Sequence, residues 1–148
     1  MPGDSPEEFV ATVNSWVMQT KERELAVFRT ATERVVSKMQ ERIPVDTGFA
    51  RASIRASKES MPPIDPTFRG VKGQSYAYNS GEVVLVIAGA SLEDTIYIGW
   101  TANYVTYLEY GRSNQAPSGF VGISALEWPT IVDHVSAELK ATVQGEMG

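Results

Sequence analysis

From Glu7 to Ile43 the chain contains neither glycine nor proline, and through that stretch Phe9, Val13, Trp16, Thr20, Val27, Phe28, Ala31, Val35 and Met39 recur mostly at steps of three or four. Apolar residues at that spacing fall on one stripe of an α-helix. Asp4-Ser5-Pro6-Glu7-Glu8 supplies a start signal, with Ser5 as N-cap, Pro6 in the first helical position and Glu8 closing a capping box. Pro44 supplies the stop, because it lacks the backbone N–H and disfavours helical geometry at Ile43. The spacing therefore predicts one helix of about 36 residues, roughly 54 Å long at ~1.5 Å per residue. A compact globule of 148 residues has a radius of gyration of about 15 Å and a diameter of roughly 38 Å, so the helix outruns its own body. Its N-terminal half, carrying Phe9, Val13, Trp16 and Val17, is expected to pack on a neighbouring subunit or partner, since a stripe of that size is not left in water without penalty. The alternative is a break near Lys21-Glu22-Arg23-Glu24 that folds the two halves on each other.

Beyond Pro44 the signals are shorter. Asp46-Thr47-Gly48 suits a tight turn, with the Asp side chain accepting local backbone N–H bonds and Gly48 free to take positive φ. Ser53 to Ser57 can begin a strand. Met61 to Gly81 holds Pro62, Pro63, Pro66, Gly70, Gly73 and Gly81 with few aliphatic residues, and is expected to be a long loop, mobile in a free subunit and ordered on assembly. Its Arg69, Lys72, Tyr76 and Tyr78 are candidates for meeting a neighbour or a channel. Glu82-Val83-Val84-Leu85-Val86-Ile87-Ala88 is a continuous β-branched run that reads as a strand buried on both faces, with Thr95 to Trp100 as its partner and Gly89 to Asp94 as the hairpin loop. Asn103 can cap a short tyrosine-rich helix through Tyr110, which Gly111 would end in a left-handed conformation. A last helix from Phe120 to about Val143 would bury Ile131, Val132, Val135, Leu139 and Val143. Pro129 requires either that this helix starts there or that residues 121 to 127 form a separate turn.

Composition narrows the function classes. The chain has 43% hydrophobic and 21% charged residues, as soluble domains do. No apolar run approaches the roughly 20 residues of a membrane span, and the N-terminus lacks the basic and apolar regions of a signal peptide. It is therefore expected to stay in the cytoplasm where it is made, away from membranes. With no cysteine and only His134, neither disulfides nor a zinc site is expected, and no cofactor is implied. A net charge of −5 argues against broad nucleic-acid binding, although a local basic patch stays open.

One motif offers catalysis. Asp46-Thr47-Gly48 is the triplet of an aspartic protease, one copy per chain and completed by dimerisation, and Ile96-Tyr97-Ile98-Gly99 could pass for the supporting strand. Such a triplet must follow an apolar strand, whereas here it follows a charged helix and Pro44, so the turn is the favoured reading. His134 beside Asp133 has no nucleophile elbow to accompany it and reads as a solvated or partner-facing residue. Gly70-Val71-Lys72-Gly73 lacks phosphate-loop spacing. Tyr104, Tyr107, Leu108 and Tyr110 could form a ligand-stacking surface, but packing of the short helix on the sheet is the preferred account. No catalytic constellation survives.

Pro44-Val45-Asp46-Thr47-Gly48 and Tyr104-Val105-Thr106-Tyr107-Leu108-Glu109-Tyr110-Gly111, with Phe120 beyond, resemble together the small minor-tail or tail-completion family of long-tailed bacteriophages over roughly residues 28 to 140. The resemblance implies an α+β domain spanning 1–148: a long helix over 1–43, a small antiparallel sheet with the long loop and short helix over 44–119, and a C-terminal helix over 120–143. It implies a structural virion protein of the neck that completes the tail or joins it to the head, assembled in the host cytoplasm. Its partners would be copies of itself in a ring, expected to be a hexamer, and neighbouring neck and tail-tube proteins, near channel DNA but without specific nucleic-acid binding. A tail terminator shares this plan and this end of the tube. Outside the virion, the competing readings are the dimeric protease using Asp46 and an adaptor of a cellular complex.

Overall fold

The computed structural model describes residues 6–110 and 119–147; the side chains of residues 6, 9, 11–18 and 143–147 lie outside what is described. Helix α1 runs unbroken over Pro6–Arg42, with no interruption at Lys21 to Glu24. Pro6 is its first residue, and Ile43 donates a last bond to the Met39 carbonyl at 2.9 Å before Pro44 stops it. The proposed N-cap, Ser5, lies outside the described residues, as do the side chains of Phe9, Val13, Trp16 and Val17.

Among the described side chains, the core residues of α1 lie on its second half. Ala31, Val35, Val36 and Ile43 are buried on it, with Val27 and Met39 partly buried beside them. Helix α6 (Trp128–Met147) lies antiparallel along this half. Arg42 and Lys38 meet Glu127 at one end, and Arg34 meets Glu138 further along. The hydrogen bond from Arg42 holds the Glu127 carboxyl below the usual carboxylate range, and that from Arg34 does the same for Glu138. At the pace set by these pairs, Met147 comes level with α1 near residue 27, about 32 Å short of the helix start. Ile131 and Val135 are buried on α6, and Val132 and Leu139 are partly buried. Val143 lies outside the described side chains.

The strand expectation for residues 82–88 is wrong. They form helix α3 (Gly81–Ala88), with Val83 and Ile87 buried one turn apart and Leu85 74% exposed. A short continuous apolar run fits either state by periodicity, and β-propensity yields to context. As a helix the run satisfies its own backbone and needs only one face covered, which residues 54–57 and α1 supply. The two-stranded sheet instead pairs β1 (Ile54–Ser57) antiparallel with β2 (Tyr97–Trp100), with Ile54 opposite Trp100 and Ser57 opposite Tyr97. Residues 89–94 thus join a helix to a strand and make no hairpin. They are fixed to α1 where Arg29 Nε and Nη2 donate to the Ala90 carbonyl at 3.1 and 2.7 Å.

The remaining elements are short. Helix α2 (Phe49–Ala52) follows the Asp46 turn, and α4 (Val105–Glu109) is the tyrosine-rich helix. Asn103 does not cap α4; its amide N–H instead reaches the Phe68 carbonyl at 2.9 Å. The single C-terminal helix is in fact two, α5 (Val121–Ala125) and α6, with Pro129 in the first turn of α6, where its missing N–H costs nothing. Trp100 joins these parts. Its ring meets Phe120 edge-on at 5.0 Å, and its indole N–H donates to Gln40 Oε1 at 2.7 Å, while Gln40 Nε2 donates to the Arg51 carbonyl at 2.9 Å.

Residues 61–80 contain neither helix nor strand. Their backbone is nevertheless tied to the body, with Asp65 N–H on the Thr101 carbonyl at 3.0 Å and Tyr76 N–H on the Thr47 carbonyl at 2.7 Å. Phe49 packs edge-on against both Phe68 and Tyr76, with ring centres 4.7 and 5.1 Å away. In hydrogen exchange on the isolated chain, the amides of Asp65, Tyr76 and Asn103 are expected to be protected and those of exposed Arg69 and Lys72 to exchange fast. Fast exchange throughout the segment, with protection gained only in an assembled particle, would instead mark it as a segment that orders on assembly.

Candidate functional site

The signature turn is built by a close backbone approach. Gly48 has φ +86°, and a Cβ there would lie 2.4 Å from the Tyr76 carbonyl oxygen, so only glycine fits. Thr47, rather than Asp46, makes the local side-chain bond: its Oγ1 accepts from Phe49 N–H at 3.3 Å. Asp46 is exposed on the rim of an open, polar cavity of about 610 Å³ that it shares with Thr47, Arg69, Lys72, Ser75 and Tyr104. The two sequence signatures therefore meet here, Asp46 from the first and Tyr104 from the second. Burial pushes the Tyr104 phenol up from its ordinary pKa; a bond involving the Ala50 backbone offsets part of this, and the Asp46 carboxylate adds to the rise.

Among the described residues, neither Arg69 nor Lys72 has an ion-pair partner, and both are exposed. Tyr76 and Tyr78 are partly buried and pack against the chain's own core. The Tyr76 hydroxyl accepts from Val71 N–H at 2.8 Å, and burial raises the Tyr78 pKa against a bond with Gln40. Among the described residues no second carboxylate lines the cavity with Asp46, and the residues leading into Asp46 come from a helix. Among the described residues no His, Cys, Asp or Glu group could hold a metal ion.

The second signature is a clasp between α4 and α5. Glu109 Oε1 accepts from Phe120 and Val121 N–H at 2.9 and 2.8 Å, and Oε2 accepts from Gly122 N–H at 2.9 Å. Three amide donors at the start of α5 are thereby satisfied by one carboxylate, which the helix dipole also favours. Gly119, at φ +78°, is required because a Cβ would sit 2.1 Å from the Glu109 carbonyl oxygen. The sequence singles out Glu109 and Phe120 but not the bond that joins them; a carboxylate eleven residues ahead of Phe120 gives no local capping signal. Gly111 lies outside the described residues.

Helix α4 packs into the core, but not through its tyrosines. Val105 and Leu108 are its buried face, while Tyr107 and Tyr110 are exposed, Tyr110 by 76%. Met61 and Ile64 are also exposed and line a small groove with Tyr110, and Leu126 at the end of α5 is 82% exposed. His134 is exposed on α6, as read from the sequence.

Glu109→Ala is expected to lower the unfolding free energy by about 1–3 kcal/mol, since three donors lose a charged acceptor at once. Glu109→Gln should cost less. Thermal and urea unfolding of the three chains check the order.

No curated protein and no solved structure matches the chain. The family model HK97-gp10-like, described as a bacteriophage HK97-gp10 tail component, matches residues 7–111. That is more than half of the chain, running from the first turn of α1 through both signatures. The chain belongs to the HK97-gp10-like family of bacteriophage tail components.

Proposed function

We propose that this tail component is a structural subunit of the neck, forming a ring that completes the tail or joins it to the head. The observation that carries the reading is the length of α1, whose first half extends past α6 and leaves a helix surface for another chain. Two further features support it. The family signatures serve internal joints, Gly48 against Tyr76 and Glu109 against the start of α5, so they hold a shape and leave no reacting group assembled. The exposed Tyr107, Tyr110 and Leu126 add apolar surface of the kind that interfaces cover.

The partners on this reading are copies of the chain in a hexamer, with neck and tail-tube proteins above and below, and the location is the virion. Among the described residues no helix is long and apolar enough to cross a membrane. Imaging of purified particles carrying a labelled chain is expected to place six copies at the head-proximal end of the tail. Label at the distal tip, or absence from the particle, overturns the reading.

The role is structural rather than enzymatic. Asp46→Asn is expected to change unfolding free energy by no more than about 0.5 kcal/mol, as for other exposed substitutions, and to leave particle yield unaltered. A peptidase activity that disappears with this substitution would establish the protease reading instead.

A further inference from the structure

Among the described residues, Arg34, Lys38, Arg42, Arg55 and Lys58 each reach a carboxylate of this same chain, whereas Arg69 and Lys72 reach none. Both of these cations are exposed, and both line the polar cavity of about 610 Å³ beside the Asp46 turn. A volume of that size is ordinary for a site that takes a ligand group, ~300–1,000 Å³. We propose that this cavity receives an acidic side chain on a peptide segment of a neighbouring protein, its carboxylate meeting Arg69 and Lys72. The proposal rests on the chain being a tail component among other tail or neck proteins, and not on the ring.

The backbone beneath both cations is held in place. Arg69 stands between Phe68, whose ring packs edge-on against Phe49, and Gly70, where an added Cβ would come 3.0 Å from Phe49 Cβ and Cγ. Lys72 lies in a turn closed by Gln74 N–H on the Val71 carbonyl at 3.1 Å, and the Tyr76 hydroxyl holds Val71 N–H at 2.8 Å. Fixing the backbone beforehand lowers the ordering cost of a contact made there. Thr47 Oγ1 accepts from Phe49 N–H, which leaves its hydroxyl proton to donate. Charge then selects the occupant. Arg69 and Lys72 against Asp46 leave the lining with a single net positive charge, which suits one carboxylate. A nucleic-acid strand brings a charge with every phosphate and needs a broad basic surface, whereas this chain carries a net charge of −5. A basic segment would meet two like charges, and an apolar one would cover two cations without pairing them.

Carbodiimide coupling of purified particles tests the contact, because it joins a lysine amine to a carboxyl group in direct contact with it, with loss of water and no spacer. Lys58, 3.6 Å from Asp94 of its own chain, supplies the control link. Lys72 is expected to be joined to an Asp or Glu of another molecule, and to be acetylated at least roughly tenfold more slowly in particles than in the free chain, as for a lysine closed off by an ion pair. Both results should stand in particles emptied of DNA. Arg69→Gln/Lys72→Gln is expected to leave the thermal unfolding midpoint unchanged and to lower incorporation into particles roughly tenfold at physiological salt. Equal acetylation in both states, protection without a carboxyl link, or full incorporation of the double variant overturns the proposal and leaves the neck reading standing. Protection that is lost with the DNA also overturns it, and assigns the cavity to a phosphate chain. A chain absent from the particle overturns both.

Discussion

Helices α3, α5 and α6 all pack on α1, whose buried core residues run from Ala31 to Ile43. Helix α6 lies antiparallel along it, α3 and α5 touch it, and Gln40 on the same helix receives the indole N–H of Trp100. A helix is suited to this role because its backbone bonds are internal, so one rigid rod can present apolar and polar groups to several layers at once. Gln40 makes the arrangement specific. Its buried amide accepts from the Trp100 indole on one side and donates to the Arg51 carbonyl on the other, which ties β2 and α2 to α1.

Around that rod the chain is joined by a few close approaches rather than by a large sheet. The sheet has two strands of four residues each, which would be marginal alone. Gly48 lets the Tyr76 backbone come against the turn after α1, and Gly119 lets the Glu109 backbone come against the start of α5. Each joint ties an irregular segment to an element end, which is how a chain whose residues 61–80 lack helix and strand keeps a defined surface there.

Apolar surface is distributed unevenly in this structure. Val83 and Ile87 of α3 are inside while Leu85 faces out, and Val105 and Leu108 of α4 are inside while Tyr107 and Tyr110 face out. Apolar side chains are thus exposed on more than one element of the subunit. A tail component meets other tail or neck proteins, and such a surface is suited to that.

The sequence alone determined the long helix, its stop at Pro44, the turn at Gly48, the irregular stretch after Met61 and the family, because each depends on local chemistry: absence of Gly and Pro, apolar spacing, a fixed proline φ, or a motif. Even the split of the last helix was foreshadowed by Pro129. What tertiary structure decided was pairing. Residues 82–88 satisfy helix and strand patterns equally, and they became a helix because β1 took its one partner from residues 97–100 and needed a covered face, not another edge. Glu109 reached across to α5, and the α4 tyrosines turned outward, because contacts between residues far apart in sequence carry no local signal. The chain's own residues fixed each element's backbone options, and contacts between residues distant in sequence chose among them.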